Sequence, residues 1–292
     1  MFEKYMHVER FGTEETSGIE NGFCYIFPKL DGTNASAWLH EGVIRGGSRN
    51  RELSLSNDNA GFLSWLMDQD NIKELLFKFP HWILYGEWLV PHTLKTYRAS
   101  AWRRFHVFDV YDTKERKYLE YSNYAQHLSQ YKVDCVPPID IVGISAEEFP
   151  QYLDKNTFLI EDGKGIGEGI VIKNYNYKNK FGRTVWAKIL APEFHKAKEE
   201  KSSGKWGDAI ESKIAEKYIT KHLVDKTFSK VTNENSGWSS KYIPQLLSRV
   251  YHDLITEEMW DILKKFKSPA IDFKALNSCV TAKIKELSPE LF

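Results

Sequence analysis

Lys29 follows a short apolar run and opens the turn Lys29-Leu30-Asp31-Gly32-Thr33-Asn34, which makes it a candidate nucleophile. Gly32 lets backbone and side chains come close to a ligand. Attack by a lysine needs an uncharged amine, which desolvation or neighbouring cations favour. Taken alone, a lysine ending a strand is far more often a solvated edge residue, so the reading turns on what else the chain supplies. Ser48-Arg49-Asn50 offers a guanidinium suited to phosphate or ribose. Glu87, ending the run Leu84-Tyr85-Gly86-Glu87, can accept hydrogen bonds from sugar hydroxyls. Phe108 can present a flat face to a base. Glu168 opens a strand that Lys173 closes, and Lys188 is a cation in an otherwise apolar strand. Singly, Phe108 reads as core and Glu168 as turn surface. Lys188 is harder to dismiss, because an unpaired buried lysine is costly.

The elements that must carry these residues are short strands. Phe23 to Phe27, Ala35 to Leu39, His81 to Val90, Phe105 to Tyr111, Gly169 to Lys173 and Thr184 to Leu190 are rich in β-branched and aromatic residues. Between the second and third lies a helical segment, Gly61 to Lys78, with Phe62, Trp65, Leu66, Ile72, Leu75 and Leu76 near helical spacing. Strands and helix interleave without βαβ alternation, which predicts an α+β domain with mostly antiparallel sheets. A polar, Ser- and Gly-containing stretch at about 199–206 predicts a linker between a domain over 1–200 and a small all-helical domain over 207–292. Its expected helices are Ala209 to Leu223, Ile243 to Leu254, Glu257 to Phe266 and Phe273 to Leu287, the last stopped by Ser288-Pro289.

Composition narrows the classes. In 292 residues, Lys+Arg and Asp+Glu both number 40, so a polyanionic partner would have to meet a local basic face. Three distant cysteines form no disulfide framework or zinc ribbon, which points to a reducing, cytoplasmic setting. The start, MFEKYMHVER, has no signal-peptide core, no run approaches a membrane span, and the scattered histidines lack metal-ligand spacing. Asp162 to Gly169 is glycine-rich. A phosphate loop would need Ser or Thr after Gly-Lys and then a helix; here Gly165 and a strand follow, so the loop reads as a turn delivering Glu168.

Taken in order, KxDG at Lys29, SR at Arg49, GE at Glu87, FD at Phe108, EGxVxK from Glu168 to Lys173 and a final strand lysine at Lys188 resemble the covalent nucleotidyltransferase superfamily of ATP-dependent ligases and capping enzymes. The set is most similar to the T4 RNA ligase 2 family, which the opening MFEKYMHVER and the Gly-Thr-Asn ending of the first motif also resemble. The resemblance implies an adenylyltransferase domain with ATP-grasp-like antiparallel sheets, and an ATP-dependent RNA ligase acting in RNA repair. Lys29 would form lysyl–AMP, with Lys173 and Lys188 lining the pocket, disfavouring protonation of the nucleophile and neutralising phosphate charge. Asn34 and Arg49 would contact the AMP sugar and phosphates, Glu87 the ribose hydroxyls and Phe108 the adenine. Glu168 would bind the divalent metal, Mg²⁺ or Mn²⁺. The partner would be RNA with 3′-OH and 5′-phosphate ends, as a nicked duplex or broken RNA, bound by a monomer without a membrane.

Two positions depart from the family pattern. The last motif carries a second lysine two positions on, where this chain has Leu190; Lys196 or Lys198 are the candidates to replace it. The residue two after the nucleophile is Asp31, as in the wider superfamily, where the phage prototype has histidine. In the helical part, Lys217, Lys221, Lys226 and Lys230 recur near one helical turn, and a ligase upstream makes duplex phosphates their expected partner. A DNA ligase or capping enzyme, or a non-catalytic nucleic-acid-binding relative with Leu190 as its sign of decay, are the alternatives.

Overall fold

The computed structural model describes residues 2–90, 96–191 and 210–292. The chain divides into two compact units, Met1–Ala191 and Pro192–Phe292. The expected linker at 199–206 and residues Lys196 and Lys198 lie outside the described residues.

Strands of the first unit are β1 (Glu9–Arg10), β2 (Cys24–Lys29), β3 (Thr33–His40), β4 (Val43–Ser48), β5 (Trp82–Leu89), β6 (Arg104–Asp112), β7 (Lys117–Tyr118), β8 (Asp140–Val142), β9 (Gly169–Lys173) and β10 (Ala187–Leu190). Its helices are α1 (Phe62–Met67), α2 (Asp70–Lys78) and α3 (Tyr121–Gln130). One sheet runs β1-β10-β9-β2-β8 and the other β4-β3-β5-β6-β7. Every pairing is antiparallel except β1 with β10. This is the α+β architecture with antiparallel sheets that the strand spacing predicts.

Local chemistry explains where the elements differ from expectation. β4 holds two glycines, and both are strand residues under close packing. A Cβ on Gly47 would lie 2.5 Å from Ser36 Oγ, and one on Gly46 would lie 3.0 Å from Leu63. The hairpin into β4 turns on Glu41 and Gly42, with φ of 51° and 75°, the left-handed pair that two-residue hairpins require. The single helix expected from Gly61 to Lys78 is two helices. A continuous helix would rotate Ile72, Leu75 and Leu76 off the stripe of Phe62, Leu63 and Leu66; the break at Asp68-Gln69 lets all six enter one core against the second sheet. Helix α3 escapes sequence reading because its decade is polar, with only Tyr124 and Leu128 buried. Pro28 is tolerated in β2 because β8 pairs with it only from Cys24 to Ile26.

The two sheets face each other across an aromatic layer of Tyr5, Trp38, Ile83, Tyr85 and Trp186, against which Val171 and Phe108 also pack. One ion pair bridges them. Lys173 Nζ of β9 lies 2.8 Å from Asp109 Oδ1 of β6, with side chains 2% and 0% exposed. The same amine donates to the Phe108 carbonyl at 2.6 Å. Tyr5 Oη and Trp186 Nε1 donate to Asp109 Oδ2 at 2.5 and 3.1 Å. Burial pushes the Lys173 ammonium below the ordinary lysine range, and Asp109 opposes that shift.

The second unit is helical: α4 (Ile210–Tyr218), α5 (Lys221–Glu234), α6 (Ile243–Asp253), α7 (Met259–Lys265) and α8 (Phe273–Leu287). The helix expected to reach Leu223 stops earlier, because the Thr220 side chain accepts the Leu223 N–H at 3.1 Å and starts a new helix. A π-helical turn, Leu254–Glu258, joins α6 to α7. Ile214, Val224, Leu246, Val250, Ile262 and Ile284 are fully buried in its core. Lys221 is drawn to Glu290 at 2.7 Å and Asp225 at 3.1 Å and donates to Ser288 Oγ, so this lysine serves the unit's own chain end.

Removing one partner of a buried pair leaves an uncompensated charge. Lys173→Met should therefore cost about 3–5 kcal/mol in urea unfolding, against less than about 0.5 kcal/mol for the same change at exposed Lys117.

Candidate active site

Lys29 ends β2, where the register sets it opposite Gly169 of β9. Its Nζ lies 2.6 Å from Glu168 Oε2, in a pair whose side chains are 22% and 8% exposed. The amine thus avoids bulk water, but its ionic partner is a carboxylate, where flanking lysines were expected. Glu168 is fixed from both sides. The Gly167 N–H donates to the Asn156 carbonyl at 2.8 Å, and Asn156 Nδ2 donates to the Gly169 carbonyl at 2.6 Å. The glycines are steric requirements. A Cβ on Gly167 would sit 2.4 Å from Asn156 Nδ2, and one on Gly169 would sit 2.2 Å from the Ile189 carbonyl oxygen. The glycine-rich segment is therefore a turn that presents Glu168 and leads into β9.

The turn after Lys29 is held by groups from elsewhere in the unit. Asp31 is fully buried, and its N–H donates to Tyr97 Oη at 2.8 Å. The Gly32 N–H donates to Glu87 Oε1 at 3.0 Å, and a Cβ there would meet Glu87 Cγ and the Trp88 carbonyl at 2.8 Å. Asn34 stands opposite Glu87 in the register, and its carbonyl accepts from Asn59 Nδ2 at 3.2 Å. Arg49, half-buried, follows the Ser48–Ala35 pair and places Nη2 3.3 Å from His7 Nδ1.

Register decides which candidates share a space, because alternate strand residues take opposite faces. Lys29, Gly169 and Leu190 form one row across β2, β9 and β10; Phe27, Val171 and Lys188 form the next, and Tyr25 with Lys173 the third. Val171 and Lys173 meet the second sheet, so Lys29 and Lys188 lie on the face turned toward it. On that second sheet, Asn34 and Glu87 share their face with Trp38, Ile83 and Tyr85. Leu190, in place of the family's second lysine, thus falls in the row of Lys29.

Phe108 occupies an irregularity. Gly86 pairs with Val107 but Tyr85 with Asp109, so Phe108 is the extra residue of a β-bulge. Its ring packs 5.0 Å from Tyr5, half-buried. Its carbonyl accepts from Lys173 and, at 3.2 Å, from Tyr124 Oη. Expected against phosphate, Lys173 is instead committed to Asp109 and the bulge, because β9 delivers it beneath the aromatic layer.

Sequence reasoning passed over Tyr97, Asn156 and Asp109. Asp109 stands in the FD motif itself, and its isolation in an apolar strand was the available signal. Tyr97 and Asn156 lie in irregular chain without periodicity. Among the described residues no three His, Cys, Asp or Glu side chains are grouped to hold a metal. Magnesium commonly binds one or two carboxylates and completes its shell with water and substrate phosphates. Glu168, a buried carboxylate beside Lys29, fits that demand as a single protein anchor.

Two facing antiparallel sheets of this kind occur in solved RNA ligases. Naegleria gruberi RNA ligase with PPi is 21% identical, with a TM-score of 0.54 over 68% of this chain and 58% of that one. A mutant of it with ATP and Mn gives 21%, 0.51, 66% and 57%, and another with AMP and Mn gives 20%, 0.54, 66% and 57%. The chain thus spans less than two thirds of the Naegleria chains. Curated protein sequences give no match. The RNA ligase family model matches residues 24–190, more than half of the chain, and the protein belongs to that family. No described helix is long and apolar enough to cross a membrane.

Gly169→Ala should force β9 and β10 apart and cost at least about 3 kcal/mol. The fall in thermal midpoint, compared with wild type under the same scan, measures it.

Proposed function

We propose that the protein is an ATP-dependent RNA ligase that joins 3′-OH and 5′-phosphate ends through three nucleotidyl transfers, in RNA repair. The observation that carries this reading is the amine of Lys29 held 2.6 Å from Glu168, on a sheet face shared with Lys188, while Glu87 of the second sheet accepts from the Gly32 N–H of the same turn. Membership of the RNA ligase family supports it, and the Naegleria complexes with ATP or AMP and Mn support a nucleotide and a divalent cation, Mg²⁺ or Mn²⁺.

In this proposal Lys29 attacks the α-phosphorus of ATP, forming an N–P bond as pyrophosphate leaves. The AMP then passes to an RNA 5′-phosphate, and a 3′-hydroxyl displaces it to form the phosphodiester. Phe108 stacks on adenine, aimed by the bulge that Lys173 and Asp109 hold from behind. Glu87 exchanges the Gly32 N–H for ribose hydroxyls, Asn34 and Arg49 bind sugar and phosphate, and Lys188 offsets phosphate charge. A divalent cation on Glu168 would compete with Lys29 for the carboxylate and balance charge on the phosphates. Residues 1–200 are the adenylyltransferase part, and the helical unit contacts the nucleic acid. Among the described residues that unit has no strand, which separates it from a strand-rich OB-type domain.

Leu190 in the Lys29 row favours one other reading, a non-catalytic RNA-binding relative. Incubation with radiolabelled ATP and Mg²⁺ distinguishes them: wild type should acquire a covalent AMP adduct and Lys29→Ala none. No adduct in either ends the proposal. Phe108→Ala should raise the ATP concentration for half-maximal adduct formation about tenfold. Nicked duplexes with RNA or DNA on each side of the break then report strand requirement.

A further inference from the structure

The turn that carries Lys29 is not held by its own strands alone. One of its holds on the rest of the unit passes through Tyr97, a residue outside every motif. The Asp31 N–H donates to Tyr97 Oη at 2.8 Å, and the tyrosine is 3% exposed. Its ring lies edge-on to Trp102 at 5.3 Å, which fixes the direction of the hydroxyl.

Tyr97 itself is paired with the segment that leads to Glu168. It forms an antiparallel bridge with Ile160. The Arg98 N–H donates to the Leu159 carbonyl at 2.8 Å, and the Glu161 N–H to the Thr96 carbonyl at 2.7 Å. Arg98 Nε adds a bond to the Ile160 carbonyl at 2.8 Å, and its Nη2 pairs with Asp162 at 3.1 Å. One hydroxyl therefore joins the turn bearing the nucleophile to the loop that ends in the carboxylate beside it. Burial raises the phenol well above its ordinary range, and the charges of Asp31, Glu168 and Glu87 add to the rise.

We infer that Tyr97 is a positioning residue for the first transfer: its hydroxyl, bound to the Asp31 N–H, sets the Lys29 turn against the Glu168 loop for attack on the nucleotide. This rests on the proposed lysyl–AMP mechanism. It predicts a defect confined to the step in which the Lys29 amine forms a bond. A strand already carrying AMP at its 5′-phosphate bypasses that attack, because the later displacement is by the RNA 3′-hydroxyl.

The test uses the full chain with Tyr97→Phe, which keeps the ring and removes only the oxygen. Two rates are measured, AMP-adduct formation from labelled ATP and sealing of a nicked RNA duplex bearing a pre-adenylylated 5′ end. Adduct formation should fall about tenfold or more, as small misplacements of reacting groups do. Sealing of the pre-adenylylated nick should stay within about threefold of wild type. Equal loss in both assays, or wild-type adduct formation by Y97F, overturns the inference while leaving the ligase reading intact. A wild-type protein that forms no adduct overturns the ligase reading, and this inference with it. Should Y97F prove insoluble, exposed Arg98→Gln carries the test by loosening the same segment. A loss confined to adduct formation supports the inference, and wild-type rates in both assays overturn it.

Discussion

A charge pair that water hardly reaches connects the two sheets of the first unit. Lys173 and Asp109 sit between them almost wholly buried, and neither could be there without the other. The pair does more than neutralise itself. Asp109 takes bonds from Tyr5 and Trp186, and Lys173 takes the carbonyl of Phe108. Those partners come from the N-terminal segment, the strand β6 and the chain just before β10. A buried network is specific when every member finds its partner, and this one ties the two facing sheets together.

The turn after Lys29 is built from backbone donors. Asp31 and Gly32 each give an N–H to a side chain of another element, Tyr97 and Glu87. The absence of a Cβ at Gly32 is what allows Glu87 to come so near. Opposite the turn, Asn156 holds the chain on both sides of Glu168. Lys29 and Glu168 thus approach each other from two turns that Tyr97 links, each needing a glycine because another backbone or side chain occupies the space.

How much of this was legible in the sequence varies with the kind of force involved. Strands β2, β5, β6 and β9 announce themselves through β-branched and aromatic residues, and their ends carry the polar residues that drew attention. Helix α8 matches its expected bounds because Asp272 caps it and Ser288-Pro289 closes it. By contrast β4 was hidden by glycines whose purpose is packing against Phe2 and Leu63, a tertiary fact. The family resemblance singled out Lys29, Glu87 and Glu168; in the structure Lys29 pairs with Glu168, and Glu87 accepts from the Gly32 N–H of the turn after Lys29. It did not foresee that Lys173 would spend its charge on Asp109, because motif spacing carries no information about which sheet a strand will face.

The bulge at Phe108 has a consequence for how this part of the chain can vary. Strand geometry sends successive residues to opposite faces, yet an aromatic ring and a buried acid are wanted side by side in the same layer. One supernumerary residue reconciles the two demands, and every residue of β6 after it has its parity set by that single insertion. Straightening the bulge with all its residues kept would turn Asp109 toward the helices and Val110 toward the aromatic layer. The ring and the acid therefore share one face only while the strand keeps its kink between them.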